Sequence, residues 1–169
     1  MSRTVVGDSE PGVASPVTSR FASDTGDPMN TNMTAEMMQN MSMDAIGMPA
    51  MDAMTMQACI EACSACEQAC TMCADNDMAD GMIKCASMCM DCADVSNTMM
   101  RMLMRPSGFD MTAMQAMLRA CMAMCSACAD ECGNHAEMSE TCRMCAMACT
   151  ECMNACQAML DMMRDAETV

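Results

Sequence analysis

The stretch CMAMCSACADECGNHAEMSETCRMCAMACTECMNAC, residues 121–156, carries cysteine at 121, 125, 128, 132, 142, 145, 149, 152 and 156, mostly four and three residues apart in alternation. Residues at those spacings lie one above another on a helix. Sustained at an average of about 3.5 residues, the pattern is that of a helix-bundle seam. The gap between Cys132 and Cys142 contains Gly133-Asn134-His135, so the stretch reads as the end of one helix, a turn and the start of the next. What is unusual is the residue type, because cysteine stands where leucine would normally sit.

Reading outward, the same spacing recurs at Cys59, Cys63, Cys66, Cys70 and Cys73 and again at Cys85, Cys89 and Cys92, so all seventeen cysteines fall into four groups. Breaks at Asp75-Asn76-Asp77, Arg105-Pro106-Ser107-Gly108 and Gly133-Asn134-His135 predict helices over roughly 51–75, 79–104, 110–132 and 136–165. Asn134 with Glu137 has the form of a capping box, and Gly133 suits a left-handed residue after a helix end. Connections this short make successive helices antiparallel. The fold class is therefore all-α, an up-down-up-down four-helix bundle over residues 51–165 with a cysteine-lined core. Residues 1–32 are rich in Ser, Thr, Asp, Gly and Pro and read as a disordered tail. Residues 33–50 read as a linker with a short Met-rich helix, roughly 34–46, which Thr34 would cap and Gly47 and Pro49 would end.

Between residues 51 and 164 there are only three leucines, two isoleucines, one valine and one phenylalanine, so ordinary core material is missing from a chain long enough to bury a core. The net charge of −15 repels phosphates and attracts cations, which argues against nucleic acid as a partner. No window approaches the roughly 18 apolar residues of a membrane span. Nor do residues 1–32 of a chain that opens on Met1 hold the apolar region of a signal peptide. The expectation is a cytoplasmic protein with reduced thiols, exported only if a signal has been removed.

Extended past the cysteines, the seam runs through Ser96, Met99 and Leu103 on the second helix and through Met111, Met114 and Leu118 on the third. It closes on Met159, Leu160 and Met163 on the fourth, and Met51, Met54 and Met56 precede Cys59 on the first. In an antiparallel bundle these four ends meet, giving a Met/Leu plug at one end, thiols through the rest and His135 at the opposite mouth. The methionines at 51, 54, 56, 99, 111, 114, 159 and 163 and His135 are either packing and surface residues or accessory soft-metal ligands. If they are ligands, loading from the Met end inward is expected.

Seventeen seam cysteines do not read as small hydrophobes, because random filling would mix in Leu, Ile and Val. Disulfides fit poorly, since side chains three or four residues apart on one helix point in parallel and the count is odd. Soft thiolates favour Cu(I), Zn(II) or iron–sulfur clusters. Zinc seeks a closed tetrahedron that would strand the other thiols, and cluster motifs are borne on loops. One Cu⁺ per thiolate leaves a buried column neutral, whereas divalent ions at that ratio would leave it strongly positive. The rival readings are a buffer for zinc or another soft metal, and a thiol redox protein, which would need one distinguished cysteine of low pKa.

The repeated C-x₃-C-x₂-C on four helices, and above all CADECGNH at 128–135 followed by CRMCAMACTEC at 142–152, resembles the copper storage proteins, a family of cysteine-rich four-helix bundles. The resemblance covers roughly residues 51–165. It implies a non-enzymatic protein that stores many Cu(I) ions on its seventeen inward cysteines, with His135 beside the end of the third helix. It further implies a homotetramer, with copper supplied by a chaperone or chelator. The 32 methionines and single histidine are a departure from the family pattern.

Overall fold

In a computed structural model, residues 52–167 are described, together with the helical residue Met37. Four long helices follow one another: α1 Ala53–Ala79, α2 Ile83–Leu103, α3 Met111–Gly133 and α4 Glu140–Glu167, with a 3₁₀ turn at Pro106–Gly108 between α2 and α3. The expected segments 1–32 and 33–50 lie outside the described residues apart from Met37, as does Met51.

Each helix packs against two neighbours, in the ring α1–α2–α3–α4 closed by α1 on α4. Sulfur contacts give the directions. Cys59 meets Cys156 while Cys73 meets Cys142, so α1 and α4 are antiparallel. Cys85 meets Cys132 while Cys92 meets Cys125, so α2 and α3 are antiparallel. Across the diagonal, Cys66 meets Cys125 and Cys70 meets Cys128, so α1 and α3 run parallel. This is the up-down-up-down bundle that the spacing predicted.

The helix ends differ from the sequence reading in instructive ways. Asp52 begins α1, its carboxylate accepting from the backbone N–H of Met54 and Thr55 at 3.2 and 3.1 Å, an N-cap that satisfies donors the helix leaves unpaired. Asp110 does the same for α3 through Ala113 N–H at 2.8 Å. At the other end of α1, the expected break at 75–77 does not occur. The helix continues to Ala79 and stops in a Schellman turn, with Met82 N–H donating to Asp77 C=O at 2.8 Å and Gly81 N–H donating to Met78 C=O at 3.3 Å. Gly81 supplies the left-handed backbone at φ 77°, the only glycine with positive φ among the described residues. Asp75, Asn76 and Asp77 are tolerable in a last turn because capping at Gly81, not their weak propensity, decides where the helix stops.

The α3–α4 turn also departs from expectation. Gly133 is the last helical residue and Asn134 its C-cap in ordinary right-handed conformation, so neither the left-handed glycine nor the Asn134/Glu137 capping box forms. Ser139 opens α4 instead, its Oγ accepting from Cys142 N–H at 3.3 Å. Five residues of turn separate α3 from this cap, which places the start of α4 four residues later than the spacing suggested.

Inside, the bundle is two-part. Met56, Met99, Leu103, Met114, Leu118, Met159, Leu160 and Met163 are buried at the end where α1 and α3 begin and α2 and α4 finish. Beyond them the buried interior is mainly cysteine, with Ser96 and Asp77 at seam positions and Ile60, Ala74, Ala86 and Ala93 packed beside it.

Candidate metal centre

All seventeen cysteines are free thiols and all are buried. The seam register explains both facts, because each thiol lies on the one face its helix turns inward and no pair on a single helix is arranged to form a disulfide. Sulfurs from different helices approach closely. Cys89 and Cys132 are 3.4 Å apart, Cys70 and Cys145 3.5 Å, Cys70 and Cys149 3.6 Å, Cys63 and Cys152 3.6 Å, and Cys85 and Cys132 3.6 Å.

Within a 4.8 Å limit the sulfurs form overlapping groups: Cys63–Cys121–Cys152–Cys156, Cys66–Cys125–Cys152, Cys66–Cys70–Cys92–Cys149, Cys70–Cys128–Cys145–Cys149 and Cys73–Cys89–Cys132–Cys145. Cys66, Cys70, Cys145, Cys149 and Cys152 each belong to two of them. The groups are therefore not separate closed tetrahedra. They form one column in which neighbouring ions would share thiolates.

The thiols modulate one another. Hydrogen bonding, from Cys125 first and then from Cys149, pulls the Cys66 thiol below its ordinary range, and Cys128 does the same to Cys145. The opposite holds where a thiol stabilises its neighbours: Cys132 beside Cys128, and Cys121 beside Cys152, push those two groups up. At the column's end burial itself pushes Cys73 and Cys85 up.

That end contains a residue the sequence reading passed over. Asp77 is fully buried, and its carboxylate accepts thiol hydrogen bonds from Cys142 at 3.3 Å and Cys73 at 3.6 Å. Its position was available in the sequence, since 70, 73 and 77 continue the alternation of three and four. Reading Asp75-Asn76-Asp77 as a helix break concealed it. On α3, Glu131 is ion-paired with Lys84, the chain's single lysine, and lies 3.8 Å from His135 Nε2. The Lys84 hydrogen bond holds the Glu131 carboxyl below the usual range. His135 itself is partly exposed, 26% of its side chain reaching solvent.

The methionines divide. Met56, Met99, Met114, Met159 and Met163 fill the plug, Met111 is half-buried at its edge, and Met54 faces solvent with 76% of its surface exposed. Met54 leaves the seam because α1 turns Met56, Cys59 and Cys63 inward, and residue 54 lies about 200° around the helix from 56. In the plug Met56, Met99, Met159 and Met163 are at 0% exposure, while Met114 at 2% and Leu160 at 4% keep slight contact with solvent. At the other end Cys73, Cys85 and Cys145 retain traces of exposure.

The chain is similar to several known proteins in sequence and, for two of them, in solved structure. A solved structure of the copper storage protein Ccsp from Streptomyces lividans, loaded with 10 copper equivalents, is 39% identical, covers 76% of this chain and 98% of its own, and superposes with a TM-score of 0.71. A second, of a cytosolic copper storage protein from the same organism carrying five coppers, is 45% identical with a TM-score of 0.61, over 63% of this chain and 92% of that one. An uncharacterized cysteine-rich protein of Bacillus subtilis (strain 168) is 32% identical over 107 residues, 61% of this chain and 94% of the relative. The sequence profile described as "Copper storage protein" matches residues 52–161, nearly the whole bundle, and on this match the chain belongs to the copper storage protein family.

Proposed function

We propose that this protein stores and sequesters Cu(I), holding many ions on the seventeen bundle cysteines. The observation that carries the reading is the sharing of sulfurs between adjacent groups. A soft monovalent cation satisfied by two or three thiolates can occupy such a column throughout, and each Cu⁺ neutralises one buried thiolate as a proton leaves. Zinc at similar occupancy would concentrate uncompensated positive charge in a dry core.

The role is storage rather than catalysis. Every cysteine is buried and each is surrounded by others of its kind, so none is set apart as the exposed, base-activated nucleophile a thiol enzyme requires. Ions enter at the Asp77 end, where the partly exposed His135 and Glu131 lie toward the surface and the buried Asp77 contacts Cys73 and Cys142, while the Met plug occupies the far end. The donor is a copper chaperone or a small chelator. A cytosolic location and a homotetramer complete the proposal. The first is supported by the likeness to a cytosolic storage protein, the second by the family resemblance. No helix among the described residues is long and apolar enough to cross a membrane.

The deciding experiment is an anaerobic titration of the reduced protein with Cu(I) and Zn(II) in competition, read by elemental analysis. Copper bound at a ratio approaching the cysteine count supports storage. Saturation at a few ions, or preference for zinc, rejects it.

A further inference from the structure

Ser96 occupies the inward position on α2 four residues beyond Cys92, where the register calls for another core side chain, and it is fully buried. On the plug side of Cys66 the other three helices supply the group Cys63–Cys121–Cys152–Cys156, to which α2 adds no thiol. The exposed helical hydroxyls of Thr71, Thr98 and Thr150 each bond back to the carbonyl four residues earlier, the usual outlet for such a group. Ser96 instead donates across the bundle to Cys66 Sγ at 3.5 Å. That is closer than any of the sulfurs contacting Cys66: Cys149 at 3.7 Å, Cys70 and Cys92 at 3.9 Å, and Cys125 at 4.0 Å. Cys66 is the sulfur common to Cys66–Cys70–Cys92–Cys149 and Cys66–Cys125–Cys152, where the four-helix part of the column passes into the part that α2 leaves.

Resting on the Cu(I) storage reading, we propose that Ser96 is a positioning residue for copper, holding Cys66 as the bridging thiolate between these two groups and ending the α2 ligand set. A neutral hydroxyl is a poor ligand for a soft cation but a good donor to a thiolate. The bond to Cys66 therefore persists when copper replaces the thiol proton and becomes charge-assisted. It leaves the remaining lone pairs of the sulfur for ions on either side. The same choice of oxygen over sulfur caps the number of thiolates at this level.

The test uses the full chain, reduced and anaerobic, with Ser96→Ala, Ser96→Thr and Ser96→Cys compared with the unaltered protein. Helicity is followed by circular dichroism, and copper release by transfer to a coloured Cu(I) chelator. Ser96→Ala is expected to speed release of a fraction of the copper about tenfold, the effect of losing one hydrogen bond to a charged acceptor, while Ser96→Thr, which keeps the hydroxyl, restores the slow rate. Ser96→Cys should raise the saturating content by about one ion, since each new thiolate neutralises one Cu⁺. Release from Ser96→Ala indistinguishable from the unaltered protein, or no added ion in Ser96→Cys, overturns the assignment. Failure of the unaltered protein to bind many Cu(I) ions would overturn the storage reading instead.

Discussion

Cys142 donates its thiol hydrogen to Asp77 Oδ1 at 3.3 Å, joining the first turn of α4 to the last turn of α1 at one end of the thiol column. On the proposal that ions enter at this end, the carboxylate lies beside the first thiols they reach. Asp77→Asn keeps the shape and an acceptor oxygen but removes the charge. Copper uptake is expected to slow, on the order of tenfold, as attraction at the mouth is lost, with final capacity set by the cysteines and nearly unchanged. Stopped-flow transfer from a chelator measures this, and uptake at the original rate would remove Asp77 from the route.

The plug makes the complementary prediction. Replacing Met56, Met99, Met159 and Met163 together by Leu roughly conserves volume, so each change costs less than about 1.5 kcal/mol. Because these side chains are sealed from solvent, uptake rate and capacity should both persist. Slowed uptake in this variant would restore the Met end as an entrance. Met99→Ala, by contrast, opens a cavity and should cost about 2–5 kcal/mol in the metal-free protein, read by urea unfolding.

Acidity gives a third test. The folded apo protein holds protons on Cys73 and Cys85 above the pH at which free thiols lose theirs, because burial opposes their ionisation. Unfolding there releases protons, so this stability is present in full below the ordinary thiol pKa of about 8.5 and falls as pH rises beyond it. Chemical denaturation of the reduced, metal-free protein should show a helical fold at neutral pH and a midpoint that declines in alkali. A midpoint that climbs between pH 8.5 and 10 would contradict the direction of both shifts. Copper-loaded protein, its thiol protons already displaced, should lose this dependence.

Gly81 offers a test confined to the fold. Its φ of 77° is costly for a residue with a Cβ, although open space surrounds the position. Gly81→Ala should destabilise the apo protein by about 1–2 kcal/mol without altering copper capacity. Unchanged thermal stability would mean that the α1–α2 turn is free to adopt another conformation.

The number of helices, their antiparallel order and the inward face of each were legible in the cysteine spacing. A period near 3.5 residues fixes a face, and short connections fix the direction of the next helix. The spacing also held the place of Asp77 on that face. What hid it was the local propensity of Asp75-Asn76-Asp77, which reads as a break when the cap at Gly81 is not seen. Propensity is a weak, local term, overridden here by the Schellman turn and by thiol donors reaching Asp77 from two helices.

The repeat thus determined which residues are inside, and cysteine at those positions determined that the inside is a thiol column. Only the tertiary structure decided which thiols lie side by side. Sulfurs within 4 Å belong mostly to helices distant in sequence, and their pairing depends on axial stagger, which no single helix encodes. It also decided that Asp77 is buried against Cys73 and Cys142, because burial near a helix end is a property of how four helix ends pack together. A residue's place on its own helix cannot specify that.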